Sequence, residues 1–163
     1  MPERAFTSAE ALALLAAASK RLAGLTAGLT PAQLRAAPAR GEWSANDVLA
    51  HLRACADMWG GYMARIIAED HPTMRAINPR TWIDQTDYLD LEFVPSLSAY
   101  AAQRAELLAL LEPLPPAGWA RAATMTGAGT PLELTVLRYA DRMARHERTH
   151  LKQIERIARV LRG

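Results

Sequence analysis

The residues with most chemistry in them are the run His146-Glu147-Arg148-Thr149-His150. On a helix, side chains four apart stand one above the other on a single face, so both imidazoles can reach one cation. A third histidine, His51, occupies a position where an amphipathic helix wants a hydrophobe. The chain has four histidines, and these three all fall on apolar stripes. Burying three imidazoles without partners costs on the order of several kcal/mol. A shared metal removes that cost, because neutral imidazole is the commonest metal-ligating side chain. Three protein ligands also leave coordination open for water, the catalytic arrangement. The expected metal ligands are therefore His51, His146 and His150, whereas His71, just before Pro72, reads as a surface residue.

The same run matches the H-E-x-x-H string of zinc proteases, in which Glu147 would be the general base. The surroundings argue against a protease. Thirteen residues remain after His150 and none is histidine. Glu155 lies about 140° round the helix from His150 and faces elsewhere. No edge strand is expected that could bind a peptide. Glu147 keeps two readings: a base or hydrogen-bond acceptor beside a ligand, or a solvated residue next to Arg148. Gln153 either orients the pocket or is a helix-surface amide. Asp47, one turn before His51, could accept that ring's second N–H, but a helix-capping role already explains it. Cys55, one turn after His51, is a fourth ligand, a reactive thiol or a small core hydrophobe.

The elements that must position these groups can be read from the spacing of apolar residues. A first long helix runs from about Ser8 to Leu25, opened by a capping box at Thr7 and Glu10, with Leu12, Leu15, Leu22 and Leu25 as its stripe. Thr30, Pro31 and Gln33 start a short helical turn. Ser44 caps a second long helix to about Glu69, with Val48, His51 or Leu52, Cys55, Met58 or Trp59 and Ile66 on one face. From Asp70 to Pro95 periodicity is lost. Such a length in a compact domain is usually functional or mobile, and Trp82 and Tyr88 make it either a lid or an anchored crossover. Ser96 caps a third helix to about Glu112. Arg104 is out of place on its stripe, so it snorkels to the edge or faces a polar site and binds an anion or cofactor. Thr130, Pro131 and Glu133 open a fourth helix reaching Leu161, its stripe running through Val136, Met143, His146, His150 and Ile154. The expected fold is an all-α four-helix bundle, one domain over 1–163, with a long crossover between the second and third long helices.

Composition agrees. Half of the 163 residues are apolar and 22% are charged, a globular balance with a core that needs no staples. Aromatic residues make up 6%, which favours helices over a sandwich or barrel. The single cysteine rules out an internal disulfide framework and fits a reducing compartment. Ala11 to Ala18 mimics the apolar part of a signal peptide, but Glu3 and Glu10 offset Arg4, so a cytoplasmic protein is expected. No apolar run approaches a membrane span. The net charge is +2, with Pro131 to Gly163 carrying eight basic and four acidic residues. No aromatics interleave with those arginines as a nucleic-acid platform would require, so the basic helix reads as a solvated face and no nucleic-acid partner is expected.

Two segments carry a family resemblance. Glu42-Trp43-Ser44 followed by Asp47-Val48-Leu49-Ala50-His51-Leu52 resembles the first signature of the DinB-like metal-binding four-helix bundles. His146-Glu147-x-x-His150-Leu151-x-Gln153-Ile154 is similar to the second. Element order and length match over nearly the whole chain. The resemblance implies His51, His146 and His150 as ligands of a divalent ion, zinc or nickel. It also implies a small-molecule substrate and a low-molecular-weight thiol as co-substrate, since the family includes thiol-dependent transferases and a mycothiol-dependent isomerase. A homodimer is a further family-level expectation. Thr149 stands where some relatives carry another histidine. Two functions follow as expectations: a metal-dependent transferase or hydrolase, or a non-catalytic bundle that binds metal or a small ligand.

Overall fold

The structure of the protein is a computed structural model that describes residues 2–163. Its long helices are α1 (Ser8–Thr26), α3 (Ala45–Ala68), α5 (Phe93–Leu111) and α7 (Val136–Arg162). Short helices α2 (Pro31–Arg35), α4 (Pro79–Ile83) and α6 (Pro116–Trp119) lie in the connections. α1 packs against α7 and α5, and α3 packs against the same two, so the sequential pairs α1/α3 and α5/α7 sit across the diagonals of the bundle. The core between them is close-packed around Leu15, Leu22, Leu49, Met63, Ile66, Leu111, Met143, Ile154 and Ile157, with Tyr100 and Tyr139 also buried.

Local sequence sets the helix starts. Thr7 and Glu10, Thr30 and Gln33, and Ser44 and Asp47 each form a reciprocal capping box. Each satisfies two amide donors that no helical carbonyl can reach, and a cap of this kind is worth about 1 kcal/mol. Gly28, at φ +80°, turns the chain out of α1 in a backbone region that costs other residues strain.

Two expected starts move. α5 begins at Phe93 rather than at Ser96, because Phe93 is a buried anchor and Pro95 is tolerated in the first turn, where amide donors are unused. Ser96, inside the helix, accepts a hydrogen bond from Arg53 at 3.0 Å. The last helix starts at Val136, capped by Thr135, whose hydroxyl accepts from the Arg138 amide.

The residues read as its first turn form a strand instead, so the protein is not purely helical. A three-stranded sheet of β1 (Thr73–Arg75), β2 (Ala122–Thr126) and β3 (Leu132–Thr135) lies in the order β1-β2-β3. β1 runs parallel to β2, pairing Met74 with Met125, and β3 runs antiparallel to it, pairing Leu134 with Ala123. Ala123 and Met125 alternate into the core, the period of a half-buried strand. Glu133, expected in a capping box, instead accepts from Thr124 and bonds His71 at 2.8 Å. His71 is exposed, as expected.

The crossover from α3 to α5 is tied down rather than loose. Asp57 of α3 accepts from Trp82 Nε1 at 3.0 Å, from the Tyr88 hydroxyl at 2.6 Å and from Gln103. The Arg53 guanidinium covers the Tyr88 ring at 3.9 Å. Replacing Asp57 with alanine leaves three half-buried donors without their acceptor. It should cost roughly 1–3 kcal/mol and raise hydrogen exchange and protease cleavage over residues 79–90 while the helical core stays protected.

Candidate metal centre

α3 presents His51 and α7 presents His146 and His150, and packing of the two helices brings the three rings together. His51 Nε2 lies 2.9 Å from His146 Nε2, and His146 Nε2 lies 3.1 Å from His150 Nε2. Ring centroids are 4.4 to 4.9 Å apart. Trp43 tilts over His51 at 5.2 Å and stacks with His150 at 6.4 Å, while Trp59 meets His146 edge-on at 4.9 Å. The sulfur of Cys55, 2% exposed, faces the same cluster at 3.7 Å from His51 Nε2 and 3.9 Å from His146 Nε2.

Hydrogen bonding alone cannot satisfy this arrangement. Gln153 Oε1 lies 2.8 Å from His150 Nδ1, and an amide oxygen only accepts. His150 Nδ1 therefore donates, and its Nε2 presents a lone pair to the cluster. One proton on His146 Nε2 can serve either His51 or His150, not both. His146 Nδ1 is moreover buried without a partner, the single such side-chain atom among the described residues. A cation among the three Nε2 atoms would use all three lone pairs at once. Metal–nitrogen bonds of about 2.0–2.1 Å place neighbouring nitrogens about 3.4 Å apart in a tetrahedron, so the His51–His146 and His146–His150 pairs reach that spacing by opening a few tenths of an ångström.

Burial, and then the charge of His150, lowers His51 to about 4 and His146 to about 3. Burial also lowers His150, with Gln153 opposing. All three are neutral at pH 7, the form that ligates. Burial, reinforced by the charge of Glu147, pushes the Cys55 thiol up to about 12.

A cleft of about 320 Å³ opens onto the cluster beside His51. Trp43, Ile83 and Leu89 give it apolar walls, and Asp47 and Arg80 its charge. Pro79 and the Asn78 cap, which accepts the Arg80 amide at 2.9 Å, set α4 so that Arg80 lies at the mouth. Arg80 is exposed, and its positive charge acts on His51. Asp47 Oδ2 is occupied by the Ser44 amide and hydroxyl, so its capping role holds. A larger cleft of about 500 Å³ between α3 and α5 contains none of the cluster histidines. Asp57, Arg104 and Glu106 line the larger one, and of the two clefts the smaller one reaches the histidine cluster, at His51.

Two expected site residues belong elsewhere. Glu147 and Arg104 are each 3% exposed and form a two-pronged ion pair inside the bundle. Arg104 also donates to the Leu15 carbonyl at 2.9 Å and approaches the Tyr100 hydroxyl at 3.3 Å. Arg104 therefore neither snorkels nor holds a cofactor, and Glu147 is neither solvated nor a base at the cleft. Being one residue from His146, Glu147 points about 100° away from it. Gln153, expected either to orient the pocket or to be a surface amide, holds His150 through its Oε1. Sequence reasoning missed Arg80 and Asp57. For Arg80 the signal was Asn78-Pro79, which caps a helix as readily as it breaks one. Nothing marked Asp57, because its partners lie 25 to 46 positions away.

A model of the DinB superfamily matches residues 14–154. The chain belongs to the DinB superfamily. YfiT from Bacillus subtilis, a probable metal-dependent hydrolase with an unusual four-helix bundle topology, superposes with a TM-score of 0.81 at 18% identity, over 98% of this chain and 91% of its own. TT2238, a four-helix bundle protein, superposes with a TM-score of 0.65 at 26% identity, over 92% of this chain and 99% of its own. These structures share the bundle of this DinB-superfamily chain. No curated protein matches its sequence, and no described helix is long and apolar enough to cross a membrane.

Two measurements follow. Replacing Glu147 or Arg104 alone with alanine strands a buried charge and should cost about 3–5 kcal/mol in denaturant unfolding, whereas changing both together to Leu and Met should cost less than the two single losses combined. For metal-free protein, the unfolded chain takes up protons below pH 6.5 that folded His51 refuses until about pH 4. Stability should therefore be full above pH 6.5 and fall from there towards pH 4. Urea midpoints at pH 7 and pH 5 measure the fall.

Proposed function

We propose that His51, His146 and His150 hold one divalent ion, zinc or nickel, and that the protein is a metal-dependent enzyme of hydrolase or thiol-transferase type acting on a small molecule. The observation carrying this reading is the approach of His51 Nε2 and His150 Nε2 to His146 Nε2, with Gln153 turning His150 so that its lone pair faces inward. The hydrolase side is supported by the probable metal-dependent hydrolase among its structural neighbours. The thiol side rests on the signatures around His51 and His146. The single cysteine of the chain suits a reducing cytoplasm.

The chemistry a divalent ion supplies when bound is acidification of a water or thiol in contact with it. The chain's own residues do the rest. Trp43, Ile83 and Leu89 exclude bulk water and hold an apolar body. Arg80 orients an anionic group at the rim. Asp47 Oδ1, free of hydrogen bonds among the described residues, accepts a proton at the mouth. With Glu147 locked to Arg104, Asp47 is the sole carboxylate lining that cleft. The same scarcity of bases favours the second reading, a bundle that binds metal or a small ligand without catalysis.

Elemental analysis decides the metal. Each of His51→Ala, His146→Ala and His150→Ala should lose about one equivalent relative to wild type, and Gln153→Ala should weaken binding about 10–100-fold. Retention of metal by all three histidine variants would refute the site. Turnover of ester, amide or thiol-plus-electrophile pairs by loaded wild type, reduced in Asp47→Asn, would favour the enzyme. Full metal without turnover would favour the binding bundle.

A further inference from the structure

We propose that Cys55 is a fourth protein ligand, so that the donor set is three imidazoles and one thiolate. This inference rests on the metal reading above and adds sulfur to it. Cys55 follows His51 by one helical turn on α3, which places both side chains on the same face. Its Sγ lies 3.7 Å from His51 Nε2 and 3.9 Å from His146 Nε2, and these three ligand atoms all fall within 4.8 Å of one another. A tetrahedral ion with bonds of about 2.3 Å to sulfur and 2.0–2.1 Å to nitrogen sets sulfur about 3.6 Å from each nitrogen. Both separations already match that figure to within a few tenths of an ångström, with no shift of either helix. His150 joins the cluster through His146 at 3.1 Å.

A cysteine used only for packing points its sulfur at carbon. This one is 2% exposed, and the polar atoms around its sulfur are ring nitrogens that themselves lack enough protons to share. On binding, the S–H bond is exchanged for a sulfur–metal bond and the thiol proton leaves to solvent, with no change of oxidation state. The sulfur approaches from inside the bundle, whereas the cleft of Trp43 and Arg80 opens beside His51. A substrate would therefore enter as a fifth ligand from the cleft side. A thiolate also biases the site towards soft ions such as zinc and away from magnesium, calcium and manganese.

Cobalt(II) is the probe. Full-length metal-free protein titrated with cobalt should develop the visible bands of a nitrogen-ligated ion together with an intense near-ultraviolet thiolate-to-cobalt band. In Cys55→Ser and Cys55→Ala the near-ultraviolet band should vanish while the visible bands persist. Wild type that binds cobalt without the near-ultraviolet band overturns the thiolate ligand and leaves the histidine site standing. Wild type that binds no cobalt and carries no other metal overturns both. X-ray absorption at the zinc edge of wild type reads the same point without a variant: a sulfur neighbour near 2.3 Å supports the assignment, and a shell of nitrogen and oxygen alone refutes it.

Discussion

His51 Nε2 and His150 Nε2 both crowd His146 Nε2, at 2.9 and 3.1 Å, and lone pairs so close repel one another unless something positive lies between them. That constraint governs the middle of the molecule. The rings come from two helices that are far apart in sequence, so their convergence depends on the register of α3 against α7. The buried residues around them, Met143 and Ile154 on α7 and Leu52 and Met58 on α3, set that register by packing. Close-packed interiors do not slide by fractions of an ångström. The cluster is thus built by the hydrophobic core, while Gln153 adds only the rotation of one ring.

The Arg104–Glu147 pair shows how near chemistry and architecture can lie. Glu147 follows a histidine of the cluster directly, yet it faces Arg104, whose guanidinium also donates to the Leu15 carbonyl and approaches the Tyr100 hydroxyl. A buried, two-pronged pair of this kind orders three helices, α1, α5 and α7, around one guanidinium. Such a pair adds little net stability over apolar packing, but loss of one member is costly, so it constrains both positions together. The zinc-protease string is present here as letters without its geometry.

The bundle and its histidines were legible because both follow from one periodicity. Steps of three and four carry the stripe through Val136, Met143, His146, His150 and Ile154, and the same count puts His51 inward on α3. Caps at Thr7, Thr30 and Ser44 were equally local and held. The sheet was not legible. Leu132–Thr135 is four residues long, follows a strong helix-start signal at Thr130-Pro131-x-Glu133, and becomes a strand only because β2 lies beside it. The fate of Arg104 was hidden for the same reason: an arginine on an apolar stripe is resolved by a partner 43 positions away. Long-range pairing decided each of the features that spacing alone misread.

The crossover is fastened from behind, at Asp57, while its forward edge carries Pro79, Arg80, Ile83 and Leu89 to the cleft. The histidine cluster and most of the cleft wall are thereby written in different stretches of the chain. Mutational drift along that edge can reshape the cleft without disturbing the helices that carry the histidines. One scaffold can in this way acquire new chemistries by editing a short strip of surface.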